Sequence, residues 1–323
     1  MKPWHGCRVL KPVLLLDVDG VLALQHRANE DFAMHSVTSS SGGVHEVWLN
    51  PTHGNWLRML HQVFDIVWTT GWEGDAPRIL EPILSIPEFP VLVFSERPQI
   101  GTRLDKLPDV IALVENRPTA WLDDDLDSVT IEWANQRTAP TLLVQPSPSL
   151  GLQASEVSRL LLFAANHRPE GANLRHRAGV IAIDNGRVAM VERKRAGSTY
   201  FVLPGGGAEP GETIQTAAQR EALEETSLGV RVLGPVAHIT FTDGDHLAMQ
   251  HYFAAETTSG TIGPGSGPEF ATNVETVRGT YRPMWLPIEE VDGLDVRPAA
   301  LAAAINHGID QLLSRPILAE ESA

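Results

Sequence analysis

Two α/β units in series are what this sequence predicts: a doubly wound parallel sheet first, then a smaller mixed α+β domain. Three observations carry the prediction. Short continuous apolar runs alternate with helical patterns as far as residue 166. A polar Pro/Gly stretch, His167-Arg168-Pro169-Glu170-Gly171-Ala172-Asn173, interrupts them. Beyond it, hairpin-type strands replace the alternation. At roughly 100–200 residues per domain, a chain of 323 residues accommodates both units. The expected boundaries are 1–168 for the first domain, 169–175 for the linker and 176–323 for the second domain.

In the first half, residues 10–24 read as a buried strand followed by a turn at Asp17-Val18-Asp19-Gly20. Further apolar runs are Val63 to Trp68, Val91 to Phe94, Thr119 to Leu122 and Thr141 to Val144. Unbroken apolar runs of this length suit strands buried on both faces of a parallel sheet. Helical patterns fall at about 54–62, 75–84, 103–114, 126–137 and 155–166. Ligands of such sheets bind beyond the C-terminal strand ends, where Asp17, Thr70 and Asp123 stand.

In the second half, Arg177 to Ile183 and Arg187 to Glu192 flank Asp184-Asn185-Gly186, a hairpin turn signal. A helix is expected over about 213–227, strands near 230–242, 247–256 and 280–286, and a last helix over about 297–313. Thr257 to Pro268, rich in Gly, Thr, Ser and Pro, reads as a flexible loop.

Composition narrows the classes. A net charge of −15 argues against a generic nucleic-acid coat, which needs basic surface. No apolar run approaches the ~18 residues of a membrane span. The run Val13 to Leu16 is too short for a signal peptide and leads straight into Asp17. The one cysteine, Cys7, forms no internal disulfide, and the expectation is a cytoplasmic protein.

The most informative segment is Leu203-Pro204-Gly205-Gly206-Gly207-Ala208-Glu209-Pro210-Gly211-Glu212, leading into Arg220-Glu221 and Glu224-Glu225. On a helix, Glu221, Glu224 and Glu225 stand at i, i+3 and i+4 and share one face. Three neighbouring carboxylates repel one another unless a hard divalent cation joins them. Arg220 reaches Glu224 by the i,i+4 geometry. A solvated acidic helix face explains the glutamates but not a glycine loop at fixed distance. With ~1 in 15 as a typical residue frequency, six fixed positions match by chance on the order of 10⁻⁵ to 10⁻⁴.

These residues resemble the Nudix box, over roughly 176–315. The resemblance implies an α/β/α sandwich that hydrolyses a phosphoanhydride bond in a nucleoside diphosphate-linked molecule with magnesium, or manganese, as cofactor. It implies that Glu221, Glu224 and Glu225 bind the metal, with Gly205 or Gly206 offering a carbonyl, and that Glu212 and Arg220 support them. Many members add a glutamate from a later loop. Glu269 is the choice here, with Glu275 and Glu256 as alternatives. Arg193, Lys194 and Arg195 are candidates for substrate phosphates. Ser227 stands where the family has glycine, and Gly229 is expected to end the helix instead.

In the first half, Asp17-x-Asp19-Gly20 follows a strand, Thr70 closes another, Lys106 comes next and Asp123-Asp124 closes a third. This ordered set resembles the haloacid dehalogenase superfamily of phosphatases, over about 11–166. The resemblance implies a Rossmann-like fold with Asp17 as nucleophile, Asp19 as general acid and base, and Thr70 (or Thr69) on the phosphoryl oxygens. Lys106 would neutralise the nucleophile, and Asp17, the Asp19 carbonyl and Asp123 or Asp124 would hold magnesium. Asp127 is an alternative metal partner, but reads first as a helix start. The gap 21–54 is short and rich in Ser, Gly and His, and the gap 107–122 has no room for a cap domain, so an open site is expected. Val-Trp-Thr-Thr-Gly-Trp and Trp-Leu-Asp-Asp-Asp are similar to domains linked to RNA repair, which makes an RNA end one candidate partner. His26, His35, His45 and His53 lack metal-ligand spacing, and Trp68, Trp72 and Trp121 read as packing. The functional expectation is a bifunctional hydrolase. The alternatives are a single Nudix activity on an inert scaffold, or a nucleotide-sensing module.

Overall fold

The computed structural model describes residues 10–95, 104–172, 174–243, 246–267, 279–306 and 308–322. The chain divides into two compact units, Met1–Ala172 and Asn173–Ala323. No described helix is long and apolar enough to cross a membrane.

The first unit is built on β1 (Val13–Leu16), with β2 (Ala23–Leu24), β3 (Ala33–Thr38) and β4 (Val44–Leu49) following. Next come α1 (Thr52–Val63), β5 (Asp65–Trp68), α2 (Asp75–Leu84), α3 (Leu107–Val114) and β6 (Thr119–Leu122). α4 (Ser128–Gln136), β7 (Thr141–Val144) and α5 (Ala154–Asn166) complete the unit. β5, β1, β6 and β7 form a parallel sheet in that order. Every residue of β1 and β6 is buried, as the unbroken apolar runs require. Leu16 pairs with both Trp68 and Leu122. That register brings Asp17, Thr69 and Asp123 out at one end of the sheet.

The structure departs from the sequence-based expectation at two places in this unit. Val91 to Phe94 is no strand: only Val91 makes a bridge, to Trp68, and Val93 is 70% exposed. A run open to water on one side lacks the burial that would hold a central strand. The gap 21–54, for which the sequence predicts no element, carries a small antiparallel sheet, β2-β4-β3. β2 is only two buried residues long, and β3 and β4 are mostly exposed outside Val37, Val47 and Leu49, so hydrophobic patterning gave little sign of them.

In the second unit, β8 (Arg175–Asp184) and β9 (Arg187–Arg195) form the hairpin. Asn185 and Gly186 both take positive φ, 50° and 71°, as a two-residue primed turn demands. β10 (Ser198–Val202), β11 (Gly205–Gly207), α6 (Ile214–Thr226), β12 (Gly229–Asp243), β13 (His246–Ser259) and β14 (Thr280–Pro287) follow. A 3-10 turn (Ile288–Gly293), β15 (Val296–Arg297), α7 (Ala299–Ile305), α8 (Ile309–Ser314) and β16 (Ile317–Ser322) end the unit. The mixed sheet runs β15-β10-β9-β8-β13-β12-β16, with β11 on β8 and β14 on β9. Leu301, Ile305 and Leu312 join Ile181, Ala237, Ile239 and Leu286 in one core.

Here too the structure corrects the reading. The last helix is two helices, parted before Gly308 at φ 89°. The strand after them pairs parallel to β12 and had no signal of its own. Gly229 does not end α6. Ser227 does, in the left-handed conformation at φ 61°, its N–H bonded to the Leu223 carbonyl. The Gly-rich stretch is only partly loop, since β13 extends to Ser259. Residues 260–267 then fold against the end of α6. The N–H of Gly263 donates to the Thr226 carbonyl at 3.1 Å, and that of Gly267 to the Glu224 carbonyl at 3.0 Å. Carbonyls at a helix end have no partner within the helix, and this loop supplies one.

Candidate active sites

Helix α6 starts at Thr213, whose hydroxyl caps the Thr216 N–H at 3.1 Å. From there it carries the acidic face past β11. Arg220 organises that face. Its guanidinium donates to Glu212 through Nε and Nη2, both at 3.1 Å, to Glu221 at 2.9 Å and to Glu224 at 3.0 Å. A fifth bond reaches the Gly207 carbonyl at 2.9 Å. The bond to Glu212 holds Arg220 protonated well above its ordinary range, against burial, and Glu221 adds to it. Burial raises the Glu221 carboxyl; Arg220 opposes that and Glu224 reinforces it. Glu225 accepts from the Gly205 N–H at 2.9 Å. At Gly206 a Cβ would lie 2.3 Å from the Glu221 carboxylate, so only glycine lets the loop approach this closely.

The structure thus gathers Glu212, Arg220, Glu221, Glu224 and Glu225 around the glycine strand. Glu269 and Glu275 lie outside the described residues. Glu256 pairs with Arg231 across β12 and β13. Arg193 stacks over the Tyr281 ring at 3.6 Å, and Lys194 lies 3.6 Å from Glu192.

In the first unit, Asp17, Asp123 and Asp124 each place a carboxylate oxygen within 4.8 Å of the others. Lys106 donates to Asp123 at 2.8 Å and lies 3.0 Å from Asp17. Burial raises the Asp17 carboxyl, Lys106 opposes it and Asp123 adds to it. Burial works to lower Lys106, but Asp17 and Asp123 outweigh it, and the ammonium is held above its usual range. Asp123 also accepts from the Trp121 indole at 3.2 Å and the Asp125 N–H at 3.0 Å. Burial raises Asp124 too. A Cβ on Gly20 would lie 2.3 Å from the Asp124 carboxylate.

Thr69 turns its hydroxyl back to the Val67 carbonyl at 3.1 Å, while the Thr70 hydroxyl accepts from the Trp72 N–H at 3.4 Å. Asp127 caps α4 by accepting from the Thr130 N–H at 2.7 Å, the helix-start role expected of it. Trp68 and Trp121 are buried, and their indoles also donate, to Glu81 at 3.1 Å and to Asp123 at 3.2 Å. Trp72 is not merely packing: its indole donates to Asp19 at 2.9 Å. No sequence signal linked these two residues. His53 is buried, its ring bonded to the Leu152 carbonyl at 3.1 Å.

Comparison with known proteins adds to this geometry. Residues 173–306 match the protein-family model for the NUDIX domain. The chain is 31% identical over 122 residues to an oxidized purine nucleoside triphosphate hydrolase of Mus musculus, covering 37% of this chain and 70% of that protein. It is 31% identical over 115 residues to the Danio rerio protein of the same description, covering 35% and 65%. Among solved structures, a MutT protein from Bacillus halodurans is 21% identical with a TM-score of 0.35, over 46% of this chain and 89% of that one. A NUDIX hydrolase from Nitrosomonas europaea is 20% identical with a TM-score of 0.33, over 41% and 86%. With its carboxylate face, its Arg220 clamp and this match, the chain belongs to the Nudix hydrolase family through a Nudix domain at residues 173–306.

Proposed function

We propose that the Nudix domain hydrolyses a phosphoanhydride bond of a nucleoside triphosphate or another nucleoside diphosphate derivative. The observation that carries this reading is the clamp of Arg220 on Glu212, Glu221 and Glu224 beside the Gly205–Gly207 strand. The residues fit a divalent cation, because carboxylates on one helix face, one of them raised by burial, gain most from a hard positive charge. Glu221, Glu224 and Glu225 would hold magnesium, which when bound supplies Lewis acidity to a phosphoryl oxygen. Glu212 anchors the guanidinium through two bonds, so Arg220 orients Glu221 and Glu224 from a fixed point. The names of the mouse and zebrafish relatives make oxidised purine nucleoside triphosphates the first substrates to test. Glu224→Gln in the full chain should lower kcat by orders of magnitude with circular dichroism unchanged, since it removes a ligand charge and no core group. Equal turnover in variant and parent would refute the assignment.

The first unit supports a second activity, the release of phosphate from a phosphomonoester such as a nucleotide or an RNA end. Here the carboxylate cluster is ringed by buried groups and one lysine. Asp17, Asp123 and Asp124, two of them raised by burial, fit a divalent cation there, which would offset the phosphate charge. Asp17 attacks phosphorus, and the leaving alkoxide takes the proton of Asp19. Asp19 then removes a proton from the water that hydrolyses the aspartyl-phosphate. Lys106 balances the charge on Asp17 throughout. On this reading the two compact units are separate catalytic domains. Asp17→Asn should abolish phosphate release, and unchanged release would refute it.

A further inference from the structure

Strands β3 and β4 border, with Trp72 and α2, an open cavity of about 780 Å³ that reaches Asp19. A different cavity, of about 740 Å³, holds Asp17, Lys106, Asp123 and Asp124. The two aspartates of one turn therefore face different spaces. We propose that the cavity at Asp19 receives the alcohol portion of a phosphomonoester, and that this portion is an uncharged organic group of nucleoside size. The proposal rests on the phosphatase reading above.

Chemistry assigns the two spaces. Nucleophile, lysine and carboxylate cluster must meet the phosphoryl group, so that group belongs on their side. The proton of Asp19 goes to the leaving oxygen, so the carbon attached to that oxygen must extend into the space Asp19 faces. Trp72 holds Asp19 at that boundary through the 2.9 Å indole hydrogen bond. The lining is mixed: Val37, Val44, Val47, Ile79 and Trp72 offer apolar surface to a ring, Val44 being 67% exposed, and Gln25 and Ser39 offer hydrogen bonds to its polar edge. The volume falls in the range of small-molecule sites, ~300–1,000 Å³.

Charge sets the class of group. Three carboxylates line the cavity, Asp19, Glu46 and Asp75, and among the lining residues only His45 can carry positive charge. Asp75 is already paired with Arg78 at 2.6 Å. A second phosphate in this space would meet carboxylates and find no lysine or arginine among the lining residues. A mononucleotide therefore suits the cavity better than a nucleoside bisphosphate or the end of a nucleic acid, whose next phosphate follows one sugar later.

The test uses the full chain with magnesium and measures kcat/KM for phosphate release. The substrates are the four ribonucleoside 5′-monophosphates, adenosine 3′,5′-bisphosphate, a 5′-phosphorylated oligonucleotide and methyl phosphate. At least one monophosphate should exceed each of the other substrates tenfold or more. Val44→Trp, which fills the cavity from an exposed position, should lower that monophosphate at least tenfold and methyl phosphate less than threefold. Preference for the bisphosphate or the oligonucleotide, or an equal fall on every substrate in Val44→Trp, would overturn the proposal. If the parent releases phosphate from no ester, the phosphatase reading fails, and calorimetric titration with the monophosphates then decides the cavity. Saturable binding abolished by Val44→Trp retains the cavity as a binding site, and no binding removes it.

Discussion

Acidifying from pH 7.5 to pH 5 should cost the second unit about 2 kcal/mol through one side chain, His238. Three histidines far apart in sequence meet inside the sheet. His176 Nδ1 lies 3.0 Å from His251 Nε2, and His251 Nδ1 lies 2.8 Å from His238 Nδ1. Each bond needs one N–H and one bare nitrogen, so the chain is satisfied when all rings are neutral and point their protons one way. Separations near 3 Å are those of hydrogen bonds. Burial lowers His238 from 6.5 to about 3. The sign follows from linkage. The folded pKa lies below the unfolded one, so the stability is fully present above pH 6.5 and is lost as pH falls toward 3. Integrating from pH 7.5 to pH 5 gives about 2 kcal/mol, or roughly 4–8 °C in Tm for a domain of this size. In His238→Asn, the side-chain amide replaces Nδ1 as hydrogen-bond partner and does not titrate. Urea unfolding of parent and variant at both pH values reads the contribution, because groups outside the histidine chain cancel in the difference. The variant should lose about 2 kcal/mol less than the parent on acidification. Equal losses would refute the reasoning.

The loop at the end of α6 yields two further predictions, beyond the substitutions at Glu224 and Asp17. Ser227→Gly removes the Cβ penalty of φ 61°, about 1 kcal/mol, but also the hydroxyl bond to the Pro264 carbonyl at 3.0 Å, about as large, so Tm should move by less than about 2 °C. In Gly265→Ala the new Cβ would fall 1.7 Å from the Glu224 carbonyl, so the loop must leave the helix end. A loss of roughly 1–3 kcal/mol in urea unfolding is expected, together with slower turnover if Glu224 serves the reaction. An unchanged stability would mean that the loop does not hold the helix.

What the sequence determined by itself was whatever one element states locally. Glu221, Glu224 and Glu225 share a face because helical spacing puts them there, and Arg220 meets Glu224 for the same reason. Asp17 and Asp123 emerge at one end of the sheet because fully apolar runs end just before them and parallel strands align those ends. The tertiary structure decided what depends on groups brought together from afar. Trp72 meets Asp19 across 53 positions, and His176 meets His251 across 75. The small sheet over 23–49 buries too little of itself to leave a periodic pattern. The glycines of 260–267 read as freedom, yet their lack of side chains lets the loop close onto the Glu224 and Thr226 carbonyls. Periodicity records which face of an element is apolar. Which distant polar group a side chain meets is settled only when the core packs, because each buried donor must then find an acceptor among whatever neighbours the fold supplies.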